Sequence, residues 1–178
     1  MILKGIEERR REVYRAEMAA QVYTMRPLAT AHDAQAMIVD ILKTRAWKKL
    51  SIVRRCKVAY VPQWDMESSC DWKDDNKIVG EMELTVGNLS EGTVSHELAH
   101  LAKGDNDNGH RFHFLRLQFA ILDDNSMGAA ETVLPHYAAE LLSRNLITGR
   151  EEWAKPYLKR WGEQMGRWAS WLKPYLRD

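Results

Sequence analysis

Four of the six histidines in this 178-residue chain fall within one short stretch, HELAHLAKGDNDNGHRFHF, at positions 96–114. Its first five residues, His96 to His100, form an HExxH pattern. On a helix, residues four apart lie one turn apart on the same face. Both imidazoles can therefore point at one ion about 2.0–2.1 Å from each ring nitrogen. Glu97 sits about 100° further round the helix. There it makes a poor third ligand but is well placed to take a proton from a metal-bound water, as catalytic base. Val94, Leu98, Leu101 and Ala102 lie on the opposite face and can anchor the helix in a core. With six His and 14 Glu among 178 residues, the pattern would arise by chance roughly 0.02 times.

A catalytic site needs a third ligand and an open position for water. A metzincin pattern would place a histidine where Asn106 stands, and is excluded. The nearest option is His110, which follows Gly109 after the polar, glycine-bounded loop GDNDNG, suited to a tight reversal. His113 lies one turn on, between Phe112 and Phe114, and reads as a core histidine or one supporting the ligands rather than as a ligand itself. A carboxylate from Asp123, Asp124 or Glu131 would give a thermolysin-like set. Groups that could stabilise a developing oxyanion are Arg111, His113, Tyr60, His136 and Tyr137, with no one of them singled out. His136, after Pro135, reads as structural, and His32 as part of a helix start.

The elements that must position these residues follow from periodicity. Apolar residues at helical spacing predict helices over 5–23 and 31–47, the second opened by a capping box from Thr30 to Asp33. The period then changes. Residues 55–61 and the run KIVGEMELTV alternate as strands, with 62–76 a loop or poorly formed hairpin. Asn88 with Glu91, or Ser90 alone, can cap a helix ending before Gly104. Further helices are predicted at about 109–123 and 128–145. The expected fold is α+β: N-terminal helices, a small antiparallel sheet, the HExxH helix and the helices after it. Glu81, Met82, Glu83 and Leu84, just before the metal helix, form a candidate strand for an extended peptide to pair with by edge addition. Solvated surface carboxylates are the plainer reading of Glu81 and Glu83.

Residues 1–148 are expected to form one domain and 149–178 a tryptophan-rich, basic helical extension with seven Lys/Arg against four Asp/Glu. Its aromatic residues, including Trp153, Tyr157, Trp161 and Trp168, recur at helical spacing, the pattern of a packed face. A weaker reading is contact with nucleic acid or a membrane surface. Pro156 predicts a kink or a new helix start. The net charge of +1 gives no global argument for a nucleic-acid partner. No stretch is long and apolar enough to span a membrane, the N-terminus does not read as a signal peptide, and the expected address is the cytoplasm. Cys56 and Cys70 form no CxxC pair, and a bridge between them is not expected.

HELAH, a loop and then GHRFHF resembles the SprT/Spartan-like zincin metalloproteases, whose pattern is HExxH, a variable spacer and GHGxxF. Gly109, His110 and Phe114 match its fixed positions, while Arg111 stands where a glycine is usual. A closer likeness, over most of 9–145, is to uncharacterised HExxH metallohydrolases of actinobacteria and their phages, which carry an R-x-VY-x-AE phrase matched here by Arg11 to Glu17. The resemblance implies a minimal zincin-like domain, a Zn2+ cofactor, His110 as third ligand and a protein or peptide substrate, with DNA association the weaker expectation, in the cytoplasm (of a host cell, for a phage protein). Hydrolysis of some other amide or ester, or a non-catalytic zinc-stabilised protein binding DNA or protein through its tail, are the alternatives.

Overall fold

In the computed structural model, which describes residues 2–61, 68–73, 75–85, 89–103, 110, 112–125, 128 and 130–165, the described residues form seven α-helices and three strands. In chain order they are α1 (Ile2–Ala19), α2 (Ala31–Lys43), α3 (Arg45–Leu50), β1 (Arg55–Val61), β2 (Ser69–Trp72), β3 (Val79–Thr85), α4 (Glu91–Lys103), α5 (Phe112–Asn125), α6 (Ala130–Ser143) and α7 (Lys155–Met165). The α+β class expected from the sequence is present. Among the described residues no helix is long and apolar enough to cross a membrane. The chain divides into two compact units, one of Tyr23–Asp107 with His113–Ser126, the other of Met1–Val22, Asn108–Phe112 and Met127–Asp178. These cut the chain elsewhere than residue 148.

In the first of these units the capping box at Thr30 forms as its residues require. The Thr30 hydroxyl accepts from the Asp33 N–H at 3.2 Å, and the Asp33 carboxylate accepts from the Thr30 N–H at 2.9 Å. Ala34, Ile38, Ile41 and Leu42 are buried along one face of α2. The single helix expected over 31–47 is two helices instead. At Thr44 the backbone turns extended, with ψ 153°, and its hydroxyl accepts from the Trp47 N–H at 3.1 Å, starting α3 afresh. Trp47 is buried, its indole N–H donating to the Val53 carbonyl at 2.8 Å.

The sheet departs from the antiparallel one expected. Its order is β1-β3-β2, with β1 and β3 parallel from Arg55↔Val79 to Val61↔Thr85, and β2 antiparallel to β3. Parallel neighbours need a connection of about a dozen residues or more. Residues 62–78 supply it, and they carry β2 to the far side of β3 on the way. The alternation read in β3 is present, with Met82 and Leu84 fully buried and Glu83 exposed. The substrate-strand role expected of Glu81, Met82, Glu83 and Leu84 is not available as edge addition. β3 is the central strand, both its sides are paired over Gly80–Glu83, and Glu81 forms an ion pair with Lys73. Gly80 is where α4 packs down on the sheet: a Cβ there would lie 2.8 Å from a Leu101 methyl.

The other unit holds α1, α6 and α7. Val13 and Ala16 of α1 and Leu134, Ala138 and Leu141 of α6 are buried. Arg144 joins the two helices, donating to Glu12 at 2.9 Å and to Glu140 at 3.2 Å. α6 ends in a Schellman motif. Asn145 takes φ 56°, its N–H bonds the Leu142 carbonyl at 3.0 Å, and the Leu146 N–H reaches the Leu141 carbonyl at 2.9 Å. α7 begins at Lys155 with Pro156 in its first turn, the new start expected there. Its described part packs on α6: Trp161 stacks on His136 with centroids 4.9 Å apart, and the Gln164 amide donates to the Glu131 carbonyl at 3.0 Å. Trp168 and the rest of the tail after Met165 lie outside the described residues.

Candidate metal centre

The HExxH helix is held at its start and along its side. Ser90, one of the two caps expected, accepts from the Thr93 N–H at 3.1 Å. The Glu91 N–H, which has no partner inside the helix, donates to the carbonyls of Met25 and Arg26, each at 3.2 Å. Asn88 lies outside the described residues.

Along its side, α4 is fixed by β2. The Cys70 thiol donates to the Glu97 carbonyl at 3.2 Å, and the Trp72 indole to the Leu101 carbonyl at 3.3 Å. Residues two apart on a strand are about 6.6–6.8 Å apart on one face. Residues four apart on a helix rise about 6.0 Å. The two bonds thus match in length and set how α4 is rotated about its axis, which decides where His96, Glu97 and His100 point. This clamp lies in the segment read from sequence as a loop or poorly formed hairpin.

The two imidazoles converge. His96 Nε2 and His100 Nε2 are 3.3 Å apart. Two nitrogens bound to a tetrahedral ion at 2.0–2.1 Å stand about 3.3–3.4 Å apart, so the pair is already spaced as ligands of one metal. His96 Nδ1 faces the Tyr23 hydroxyl at 3.4 Å; were Nε2 to bind a metal, Nδ1 would carry the proton, and Tyr23 would be the kind of outer partner that fixes a ligand's tautomer and ring orientation. Phe114 lies against both rings, with centroids 4.9 Å from His96 and 4.6 Å from His100. His96 and Glu97 are buried and His100 is half-buried.

His110 is held differently. It belongs to no helix and takes φ 47°, in the left-handed region that a side chain other than glycine's seldom adopts. Two residues of α1 engage it. Arg9 donates through Nε to the His110 carbonyl at 3.3 Å and through a terminal nitrogen to the Leu146 carbonyl at 2.9 Å. The Tyr14 ring meets the His110 imidazole edge-on, with centroids 5.1 Å apart. His110 is 1% exposed. The ligand atoms of His96, His100 and His110 all lie within 4.8 Å of one another, a group that could hold a metal ion.

The other candidates fall elsewhere. His113 is exposed on α5, as are Asp123 and Asp124, and Glu131 is exposed on α6. None of them belongs to the histidine group among the described residues. Tyr137 is fully buried and hydrogen-bonded to Glu17; burial, then the Glu17 charge, push its hydroxyl well above its ordinary range. His136 is taken up by Trp161 and lies 3.6 Å from Glu140. Arg111, Gly109 and the side chain of Tyr60 lie outside the described residues. Tyr23, Arg9 and Cys70 were not singled out from sequence, because nothing in their spacing ties them to the histidines.

Both cysteines are free thiols. Burial, then the Glu81 charge, push Cys56 up to about 12, and burial, then Glu97, push Cys70 up further. Neither is a thiolate nucleophile near neutral pH. No protein-family model matches the chain, and neither a curated protein nor a solved structure matches it.

Proposed function

We propose that the chain is a zinc-dependent hydrolase that cleaves peptide bonds, with His96, His100 and His110 as ligands and Glu97 as general base. The observation that carries this reading is the 3.3 Å spacing of His96 and His100 Nε2 on a helix that also presents Glu97 between them. Three neutral imidazoles suit zinc and leave a fourth position for water. Bound there, zinc would bring the pKa of a water down to near 7 and polarise a substrate carbonyl. Glu97 would accept the proton that water loses on attack and return it to the departing amine nitrogen. Its burial favours this role by keeping bulk water from competing for the proton. Phe114 and Tyr23 hold the two imidazoles in the orientation required. The choice of peptide over other amides follows the resemblance to SprT-like proteases, and a cytoplasmic setting is part of the same proposal.

The test is hydrolysis of an unfolded protein by wild type and by Glu97→Gln, with zinc measured in both. The expected result is a loss of about 10²–10⁴-fold in rate at unchanged zinc content. A wild type that holds zinc yet is as inert as the variant on unfolded proteins overturns the peptidase reading. A wild type that does not retain zinc overturns the centre itself.

A further inference from the structure

The chain carries a net charge of +1, yet residues 43–57, KTRAWKKLSIVRRCK, hold seven Lys/Arg and no acidic residue. They span the end of α2, all of α3 and the start of β1. Five of the seven line one cleft of about 720 Å³: Lys43, Lys48, Arg54, Arg55 and Lys57. Two of the five have partners. Lys43 pairs with Asp40 at 3.2 Å, and Arg54 donates to the carbonyls of Ser51 and Val53 at 2.6 and 3.1 Å. The side chains of Lys48, Arg55 and Lys57 make no ion pair or hydrogen bond among the described residues. Like charges gathered around a concavity without carboxylates raise its potential and concentrate anions there.

The interior of the cleft is of the opposite kind. Val39, Leu42, Cys56 and Val79 form its wall. Gln35 is its one neutral amide, and both ends of that amide are committed to β1: Nε2 donates to the Cys56 carbonyl at 3.0 Å, and Oε1 accepts from the Val58 N–H at 2.9 Å. Among the described residues no aromatic ring lines the cleft. A nucleobase entering it would meet cations and an aliphatic wall but no aromatic face to stack on and no uncommitted amide, whereas stacking on aromatic rings is a main means by which proteins hold bases. Val39 is itself 39% exposed, and Ile78, next in sequence to Val79, is 38% exposed.

We infer that the cleft between α2, α3 and β1 binds an anionic amphiphile, with a phosphate or carboxylate head between Lys48, Arg55 and Lys57 and an aliphatic body against Val39, Leu42 and Val79. The volume falls in the range of small-ligand sites, about 300–1,000 Å³. The inference is independent of the histidine centre. The same chemistry is offered by a free acyl phosphate or fatty acid and by an anionic lipid in a membrane.

The experiment uses the full chain and four probes at one ionic strength: dihexanoyl phosphatidic acid below its micellar concentration, vesicles of phosphatidylglycerol and phosphatidylcholine, inorganic phosphate, and a 20-base-pair DNA duplex. Calorimetry should give one saturable phosphatidic acid per chain. A Lys48→Glu, Arg55→Glu, Lys57→Glu triple variant should weaken it by about tenfold or more. Val39→Asn should weaken it while leaving any phosphate binding unchanged. All the substituted side chains are exposed, and unchanged thermal unfolding of the variants shows that the fold is kept. Saturable binding of the monomer identifies a free molecule as the source, and vesicle binding that rises with phosphatidylglycerol and falls in both variants identifies the membrane. Phosphate competing as well as phosphatidic acid, with Val39→Asn silent, reduces the site to one for bare anions and overturns the inference. Duplex binding without phosphatidic acid binding overturns it in favour of nucleic acid. No binding of either amphiphile overturns it outright.

Discussion

The histidines of the candidate centre are presented by two different devices. His96 and His100 ride on a regular helix capped by Ser90 and clamped to β2 through Cys70 and Trp72. His110 stands outside any helix, in a left-handed conformation, with its carbonyl held by an arginine 101 residues earlier. The first device is local: the spacing that makes the motif also makes the geometry. The second depends on a partner far away in the chain, so its geometry can be lost without touching a ligand.

That contrast can be broken most sharply at Arg9. Arg9→Met keeps the length of the side chain and all three imidazoles but removes the donors to the His110 and Leu146 carbonyls. Outer partners of ligands typically contribute 10–100-fold to metal affinity, and a loss of about that size is expected in a zinc competition titration. If zinc affinity stays within twofold of wild type, the second device does not depend on Arg9.

The helix side has its own weak point at Glu91. Its carboxyl is fully buried, neither oxygen has a hydrogen-bond partner among the described residues, and burial, opposed by Arg26, pushes its pKa up to about 7. A raised acid is protonated in both states at low pH. As pH rises past about 4.5 the unfolded chain ionises first, so stability falls until the folded carboxyl also ionises near 7. Glu91→Gln removes that fall, and the variant should gain about 2 kcal/mol on wild type between pH 5 and pH 8. Parallel urea-unfolding curves for the two proteins across this range would show that the charge at the helix start is compensated.

The smallest effect is a reversal of sign. At His96, inside a helix, glycine should be about 1 kcal/mol less stable than alanine. At His110, with φ 47°, glycine should be about 1 kcal/mol more stable than alanine. Metal-free unfolding of the four variants measures both differences. The same sign at both sites would mean that the two backbones do not differ as described.

What was legible in the sequence follows the same division. Features set within a few residues could be read: the His96–His100 spacing, the Thr30 box, the Ser90 cap, the alternation in β3 and the helix start at Pro156. Features set by distant partners could not. The parallel pairing of β1 with β3 joins residues more than twenty apart and has no local signature, and it placed β3 in the middle of the sheet and closed the strand expected to receive substrate. The break at Thr44 needed a hydroxyl to choose a cap over a continued helix. His110 was named from the glycine-bounded loop before it, but its conformation and its contacts with Arg9 and Tyr14 had no local signature. The basic run at 43–57 was not singled out, because its meaning depends on β1 folding back beside α2 to make a cleft.

Gln35 carries one further consequence. A glutamine amide offers the same donor and acceptor as a peptide unit, and here it meets the outer edge of β1 where the backbone of a fourth strand would run. An open edge of this kind is a template for pairing with the strands of other molecules, the first step of aggregation. One side chain from α2 therefore occupies the Cys56–Val58 edge of β1 that a strand of another molecule would otherwise pair with.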